Sequence, residues 1–280
     1  FFVHNVDYHQ SHGLTGKLKA GIDFIYNAEA CNKLNTLLLE QRPDIVHFHN
    51  IYHQLTPALI GVAKRFGCKT VLTAHDYKIV CPSYTMLRDG HVCDDCLTGS
   101  VSNAFRHRCQ QGDTFKSLLL SLEAYWQKFA QNYAMLDCII APSEFMRQTL
   151  LRKLPRSRID VIVNGIDAST TVPGDTAGDY FLYIGRLSRE KGVATLALAQ
   201  QKMQQSMPLK IVGDGPLGSD LRARFSGPEF LGYMRHGEAL NALIRGARAV
   251  IVPSEYYENC SMSVLEAMAF GRPVVGGNIG

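Results

Sequence analysis

The chain has 280 residues, of which 46% are hydrophobic, and a formal net charge of +4. This length allows two domains, and the absence of a dense Lys/Arg block argues against a nucleic-acid-binding protein. No stretch of about 18 apolar residues predicts a membrane-spanning helix. The opening FFVHNVDYHQ has neither an initiating Met nor a signal-peptide pattern, so we expect the natural N-terminus to lie upstream.

The first half of the chain alternates predicted helices and strands. In order, these are a helical region to about residue 40, a strand at 45–48, a helix at 57–66, a strand within 68–77, a Cys-rich loop at 81–112, a helix from about 114 to 133, a strand at 138–141, a helix to about 153 and a strand with a turn at 161–167. The Gly-, Pro- and Asp-rich stretch TTVPGDTAGD then predicts a linker.

The alternation restarts after the linker. Predicted strands are FLYIG, LKIVG, PEFLGYM, AVIVPS and RPVVGG, with helices between them, the last at 261–270. Strands alternating with helices predict an α/β fold with two Rossmann-like domains, residues 1–168 and 177–280. Ligands of such open sheets bind beyond the carboxyl ends of the strands.

The most informative segment is VIVPSEYYENCSMSVLEAMAFGRPVVGG, residues 250–277. Glu258 falls in the turn after a predicted strand, and Glu266 falls within the helix that follows. At ~1.5 Å rise per residue the two carboxylates lie up to ~12 Å apart. A carboxylate pair that attacks one glycosidic bond lies roughly 5–9.5 Å apart. The spacing therefore favours a long polar ligand held at two points.

This segment resembles the E-x7-E signature of the retaining GT-B glycosyltransferases of family 4, and LEAMAFGRPVV and GGNIG continue the likeness. The resemblance implies that Glu258 faces the donor sugar, as a catalytic residue, and that Glu266 holds the nucleotide ribose. It implies two domains facing across a cleft. Both domains would be incomplete, because the family's first strand and its C-terminal elements have no counterpart here, and the chain alone could be inactive.

The loop GRLSREKG, residues 185–192, places two cations after the first strand of the second domain. Cations stabilise the charge that develops on a diphosphate leaving group. The family resemblance gives this role to Arg186 and Lys191, with Gly185 beside them. An exposed basic loop that only caps the sheet is the alternative.

Three residues after Glu258 are further candidates, because free N–H groups at a helix start attract phosphate. The resemblance assigns donor contacts to Asn259, Cys260 and Ser261. Many relatives have Gly-Phe or Gly-Leu where this chain has Asn259-Cys260, which leaves the donor sugar open. GYMRHGE, residues 232–238, matches the region around the nucleotide base and adds Tyr233.

The motif TAHDY, residues 73–77, resembles a first-domain motif near the point of sugar transfer. It makes His75 a catalytic candidate that hydrogen-bonds the donor sugar or orients the acceptor. The resemblance implies that His75 need not be a general base, because in such enzymes the leaving phosphate itself takes the acceptor proton. No catalytic metal is expected. His47 and His49 are weaker candidates, because we expect one of them to point into the packing of the sheet.

Four cysteines, Cys81, Cys93, Cys96 and Cys109, have the spacing C-x11-C-x2-C-x12-C. Four thiolates can form a tetrahedral structural zinc site. We expect a reducing cytosol, where such crowding favours metal over disulfides. Four reduced thiols without metal remain the alternative.

The helix FKSLLLSLEAYWQKFAQNYA has an apolar face that includes Phe115, Leu122, Trp126 and Phe129. Packing of this face on the sheet is the favoured interpretation, and contact with a membrane surface is the alternative.

Together with the family resemblance, these patterns predict a hexosyltransferase or another glycosyltransferase. We expect it in the cytoplasm, either free or bound to the membrane surface. It would move a sugar, with retention, from a nucleotide diphosphate sugar to a hydroxyl of a saccharide or lipid-linked acceptor, in polysaccharide or glycoconjugate synthesis. A GT-B nucleotide-sugar epimerase and a non-catalytic nucleotide-sugar-binding module are the alternatives.

Overall fold

The computed structural model describes residues 13–167, 171–174, 178–203 and 207–279. These residues form two compact units. The first contains the chain up to Arg88 and Cys93–Val163, and the second contains Asp89–Val92 and the chain from Asn164 onward. No helix within these ranges is both long enough and apolar enough to cross a bilayer.

The described residues before 164 form seven α-helices and six strands. The helices are α1 (Gly13–Ile25), α2 (Ala28–Gln41), α3 (Ala58–Arg65), α4 (Asp95–Thr98), α5 (Asn103–Arg106), α6 (Thr114–Phe129) and α7 (Glu144–Leu151). The strands are β1 (Ile45–His49), β2 (Lys69–Thr73), β3 (Leu87–Arg88), β4 (His91–Val92), β5 (Cys138–Ala141) and β6 (Ile159–Val161). A parallel sheet of order β1-β2-β5-β6 forms the centre of the first unit.

Local sequence explains several helix boundaries in this unit. Asn27, Asp113 and Ser143 each precede a helix, and the side chain of each accepts a hydrogen bond from a backbone N–H of the first turn. Such N-caps satisfy amide groups that the helix itself leaves unpaired. They fix where α2, α6 and α7 begin.

The second unit is a doubly wound domain. Its helices are α8 (Val193–Lys202), α9 (Gly218–Arg224), α10 (Glu238–Arg245) and α11 (Met262–Ala269), and its strands are β7 (Phe181–Ile184), β8 (Leu209–Val212), β9 (Glu229–Gly232), β10 (Ala249–Val252) and β11 (Val274–Gly276). The five strands are parallel, in the order β9-β8-β7-β10-β11. Numbered within the domain this order is 3-2-1-4-5, the Rossmann arrangement.

Apolar residues from both faces of this sheet form its core. One cluster joins Leu182 and Val250 to Ile244 and Phe270, and the other joins Tyr183 and Ile211 to helix residues that include Leu221. Since both faces are covered, the strands read as nearly continuous apolar runs, as expected for a parallel sheet. The α/β prediction with Rossmann-like domains is confirmed.

Two sequence-based predictions for the first unit are wrong. The strand predicted at 161–167 is already ending at Val161, where β6 closes, and the following described residues are irregular. The apolar face predicted to pack on the sheet is exposed: α6 instead buries Ser117, Ser121, Glu123 and Gln127 with Leu120. The buried polar groups have specific partners, which explains why this side faces inward.

Candidate functional site

The candidate site of the second unit lies at the point where its strand order reverses. β7 and β10 are neighbours, and their crossovers leave to opposite sides, so a crevice opens beyond their carboxyl ends. The loop after β7 contains Arg186 and Lys191, and the loop after β10 contains Glu258. The predicted phosphate clamp and the predicted sugar-facing carboxylate therefore lie on adjacent loops.

A glycine allows these two loops to touch. Gly192 has a φ of +66°, and a Cβ atom there would lie 1.9 Å from the carbonyl oxygen of Pro253. The amide of Glu255 donates to the carbonyl oxygen of Glu190 over 2.9 Å, which ties the loops together. Any larger residue at 192 would push them apart.

Lys191 and Glu258 form an ion pair, with 2.7 Å between Nζ and Oε1. Tyr256 bridges the pair: Lys191 Nζ donates to Tyr256 Oη over 2.9 Å, and that hydroxyl donates to Glu258 Oε2 over 3.1 Å. Ser254 Oγ donates to Glu258 Oε1 over 2.5 Å. The carboxylate is thus held by three donors from its own surroundings.

Competing effects determine the charge state of this network. Burial lowers the pKa of Lys191, but the neighbouring Tyr256 and Glu258 outweigh it and raise the pKa above its ordinary value. Burial raises the pKa of Tyr256. Lys191 is therefore a cation and Tyr256 a neutral phenol at neutral pH, as a site for an anionic ligand requires.

A cavity of about 260 Å³ adjoins this network. Its walls include Ser254, Tyr256 and Glu258 together with two of the predicted donor contacts, Cys260 and Ser261. Ser261 is the residue before α11, so free backbone N–H groups of that helix start beside the cavity. The third predicted contact, Asn259, lies between the cavity residues Glu258 and Cys260.

Glu266 belongs to a separate group on α11. Its side chain is largely buried, with 17% exposed, and His236 Nδ1 lies 3.5 Å from Oε1. Burial raises the pKa of Glu266, and His236 partly offsets this shift. The contact joins α11 to the loop after β9, the segment that resembles a nucleotide-base region.

The remaining predicted residues of this unit are less constrained. Arg186 is exposed, and within the described ranges no hydrogen bond or ion pair engages its guanidinium. Its backbone carbonyl accepts a hydrogen bond from Tyr183 Oη over 2.9 Å, which fixes the turn that begins at Gly185. Tyr233 is 72% exposed and free to contact a ligand by its ring face.

Tyr256, Ser254 and His236 were not among the predicted site residues. All three lie in motifs identified in the sequence, VPSEYYEN and GYMRHGE. A motif, however, does not show which of its side chains contribute to the site. The available signal was residue type: Tyr256 lies two residues before Glu258 in the loop after β10, and a phenol can donate a hydrogen bond to a nearby carboxylate.

In the first unit, His75 is part of a histidine cluster at the end of the sheet. Its Nε2 lies 2.8 Å from Nδ1 of His49, while Nε2 of His47 lies 2.9 Å from Thr73 Oγ1. Burial and the neighbouring histidines lower the pKa of His75, so it is neutral at pH 7. The expectation that one of His47 and His49 points into the packing is wrong: residues two apart share a face, and their rings are 4.2 Å apart.

Two of the four cysteines of the Cys-rich loop, Cys81 and Cys96, are buried. Burial raises the pKa of Cys96 to about 12, and the charges of Cys81, Cys109 and Cys93 add to the shift. The thiols form no disulfide, and the described part of the chain contains no group of three or more His, Cys, Asp or Glu side chains already placed to hold a metal ion. The donor chemistry fits zinc, but its ligand geometry is not preassembled.

Comparison with protein families identifies both halves of the chain. Residues 9–170 match the model described as Glycosyltransferase Family 4, and residues 178–280 match the model described as Glycosyl transferases group 1.

Individual relatives share between a fifth and about a third of the aligned residues with this chain. The chain is 36% identical over 137 residues to a glycogen synthase of Mycobacterium tuberculosis, covering 44% of this chain and 33% of that protein. It is 20% identical over 264 residues to an uncharacterized 42.6 kDa protein of the Klebsiella pneumoniae cps region, covering 91% and 63%.

Among solved structures, Anabaena Alr3699/HepE in complex with UDP-glucose superposes with a TM-score of 0.60 at 17% identity, over 90% of this chain and 64% of that one. This likeness supports the fold. The chain spans less than two thirds of each of these three proteins.

Proposed function

Since the chain belongs to glycosyltransferase family 4, we propose that it transfers a sugar from a nucleotide diphosphate sugar to a hydroxyl group, with retention of the anomeric configuration. The observation that carries the proposal is the network of Lys191, Tyr256 and Glu258 at the switch point of the second unit. It combines a cation for a phosphate with a fixed carboxylate for a sugar.

The chemistry assigns the two charges different roles. When the bond between the anomeric carbon and the diphosphate oxygen breaks, its electron pair stays on the phosphate, and Lys191 and Arg186 stabilise that charge. The acceptor oxygen forms the new bond on the same face and gives its proton to the leaving phosphate. Glu258 orients the sugar through its hydroxyl groups, and Glu266 holds the ribose at the other end of the donor.

Two further features support a nucleotide-sugar donor, and the similar proteins indicate the class of acceptor. HepE and starch synthase IV, which share the fold, are seen with UDP-glucose and with ADP. The cavity of about 260 Å³ beside Glu258 has the size of part of such a ligand, and helix α11 begins at its wall. Glycogen synthase and lipopolysaccharide galactosyltransferase among the similar proteins favour a saccharide or lipid-linked acceptor in polysaccharide or glycoconjugate synthesis.

The eight cysteines form no disulfide with one another, which favours a reducing compartment, and we propose the cytoplasm.

A thermal-shift panel of nucleotide sugars, followed by a transfer assay with the donor that stabilises most, tests the function. We expect at least one donor to raise the melting temperature and to release its nucleotide faster when a saccharide acceptor is added. An epimer formed from the donor alone would indicate an epimerase, and binding without turnover would indicate a non-catalytic module. No stabilisation by any donor would contradict the proposal.

A structural zinc ion held by Cys81, Cys93, Cys96 and Cys109 is a separate proposal. It rests on the C-x11-C-x2-C-x12-C spacing, which places four possible thiolate ligands within one loop. Elemental analysis of protein purified without chelator should give about one zinc per chain, and Cys96→Ser should lose it. Metal-free protein with unchanged stability would contradict zinc.

A further inference from the structure

Helix α6 presents an apolar face to the outside of the first unit. Six large side chains along it are between 37% and 81% exposed: Phe115, Leu118, Leu122, Tyr125, Trp126 and Phe129. They recur every three or four residues, so they form one continuous stripe on a helix. We call these six residues the α6 stripe. Isolated exposed apolar residues are ordinary, but contiguous patches mark interaction sites.

The helix cannot simply turn this face inward, because the opposite side is held by specific polar contacts. Ser121 Oγ donates to the carbonyl oxygen of Val101 over 3.1 Å, and Gln127 Nε2 donates to that of Ile25 over 3.2 Å. Glu123 forms an ion pair with Lys78, and both side chains are almost completely buried. Rotation would leave these polar groups without partners at high cost. The exposure of the α6 stripe is therefore built into the fold.

The charge around the stripe selects the kind of partner. Residues 100–135 contain four Lys or Arg residues, Arg106, Arg108, Lys116 and Lys128, and only two carboxylates. Both carboxylates are already engaged: Asp113 caps the start of α6, and Glu123 pairs with Lys78. This segment thus carries a net positive charge, and Lys116 and Lys128 line the same cavities as Phe115 and Tyr125 of the stripe.

The aromatic side chains add a second indication. Trp and Tyr prefer the interface between hydrocarbon and water. Trp126 is 42% exposed and Tyr125 is 45% exposed, so part of each ring can enter such an interface. Tyr26, which lies between α1 and α2, and the exposed Arg65 line a cavity of about 460 Å³ together with Trp126. An aromatic edge beside a cation is suited to the headgroup region of a bilayer.

We propose that the α6 stripe and its flanking basic residues dock the first unit onto an anionic lipid bilayer. The apolar side chains enter the interface and Lys128, Lys116 and Arg108 contact the lipid phosphates, as in surface-bound amphipathic helices. A second copy of the chain fits less well. In a two-fold symmetric contact the stripe would meet itself, and the same positive charges would face each other.

The experiment uses the fluorescence of Trp126, the only tryptophan in the 280 residues. We expect a blue shift of its emission and co-sedimentation with vesicles that contain phosphatidylglycerol, and little of either with pure phosphatidylcholine. Phe129→Ser combined with Leu122→Ser should lower the partition coefficient by about tenfold or more, and Lys128→Gln by about fivefold. Leu39→Ser is the matched control, because Leu39 is 57% exposed on α2, outside the stripe.

Other outcomes would overturn the proposal. Equal binding to neutral vesicles would remove the role of the basic residues. A blue shift that depends on protein concentration without vesicles, and that the serine variants abolish, would assign the stripe to a second copy. Trp126 emission that is already blue-shifted without vesicles, at every protein concentration, and does not change when vesicles are added would show that another part of the protein covers the α6 stripe. Binding can be measured without turnover, so it fails or succeeds independently of the transferase proposal.

Discussion

Each unit of the protein contains a close Lys–Glu pair, and the two pairs differ in their exposure to solvent. In the first unit Lys78 Nζ lies 3.0 Å from Glu123 Oε2, and the side chains are 2% and 4% exposed. In the second, Lys191 and Glu258 are 2.7 Å apart, with 26% and 20% exposed. The distances are similar, but only the second pair can be reached by a ligand.

This difference indicates two functions for the same interaction. Lys78 also donates to the carbonyl oxygen of Pro82 over 2.9 Å, so its ammonium group is committed to the fold. Lys191 shares its charge with a carboxylate and a phenol beside a cavity, and a phosphate could take over one of these contacts. A buried pair holds structure, whereas a partly exposed one can exchange partners when a ligand binds.

The largest expected effect comes from breaking the buried pair. Lys78→Met or Glu123→Gln should lower the free energy of unfolding by about 3–5 kcal/mol, because the remaining partner stays buried without its counter-charge. Denaturation of the purified variants in urea measures the loss.

The matched control removes both charges together. Lys78→Met with Glu123→Leu should recover most of the lost stability, since two apolar side chains replace two ions. If each single variant were as stable as the parent protein, the pair would not be the structural element described here.

The next effect concerns the exposed pair. Lys191→Met should reduce transfer by about 100- to 1,000-fold, because the diphosphate loses a cation in the transition state. The free energy of unfolding of this variant should fall by only about 1 kcal/mol, because Tyr256 and Ser254 still donate hydrogen bonds to Glu258. Steady-state kinetics with the stabilising donor and urea denaturation give the two values.

Lys210 provides a closely matched control for Lys191. Its side chain is also 26% exposed, it lies 4.2 Å from a tyrosine ring centre and 3.9 Å from a carboxylate, but it belongs to strand β8 rather than to the loops. Lys210→Met should leave transfer unchanged. Equal losses in the two variants would mean that general charge, not the position of Lys191, matters.

The sequence predicted the second unit better than the first for a physical reason. Gly192, Lys191 and Glu258 lie in short loops between strands, where the parallel topology alone brings the loops together. Tyr256 was missed because its role depends on the side-chain hydrogen bonds it makes, not on its type. Periodicity identified the apolar face of α6, but it does not say what covers that face.

Histidine pairing shows a second limit of sequence-based prediction. His75 was found through its motif, whereas its partner His49 comes from another strand, and their contact depends on the register of β1 against β2. The four cysteines were grouped by their spacing alone. Whether they bind zinc depends on ligand geometry, which spacing does not specify.

The stability of the first unit should also depend on pH through His53, whose pKa is affected by Lys78 of the buried pair. Burial and the charge of Lys78 lower the pKa of His53 to about 3. Between pH 6.5 and 3 the unfolded chain binds a proton that the folded chain does not, so stability should fall as the pH is lowered through this window. The slope due to His53 should reach about 1.4 kcal/mol per pH unit, and about a tenth of it should remain at pH 7.5.

Urea denaturation between pH 5 and 7.5 checks this sign. His53→Gln should flatten the slope, whatever its effect on stability at pH 7, because the titrating group is gone. The Lys78→Met, Glu123→Leu variant should flatten it partly, since His53 then titrates closer to its ordinary pKa. An unchanged slope in His53→Gln would assign the pH dependence to other groups.

The smallest effect should come from Tyr256→Phe, which removes one hydroxyl group and keeps the ring. That hydroxyl accepts a hydrogen bond from Lys191 and donates one to Glu258, yet the direct ion pair between the two remains. The loss should be about 1 kcal/mol, or about fivefold in kcat/KM for the donor. If Tyr256 only positions the pair, kcat should fall while the KM of the donor changes little. A loss as large as that of Lys191→Met would show instead that the phenol itself contacts the departing phosphate. Two donors, Lys191 and Tyr256, would then bind the phosphate rather than Lys191 alone.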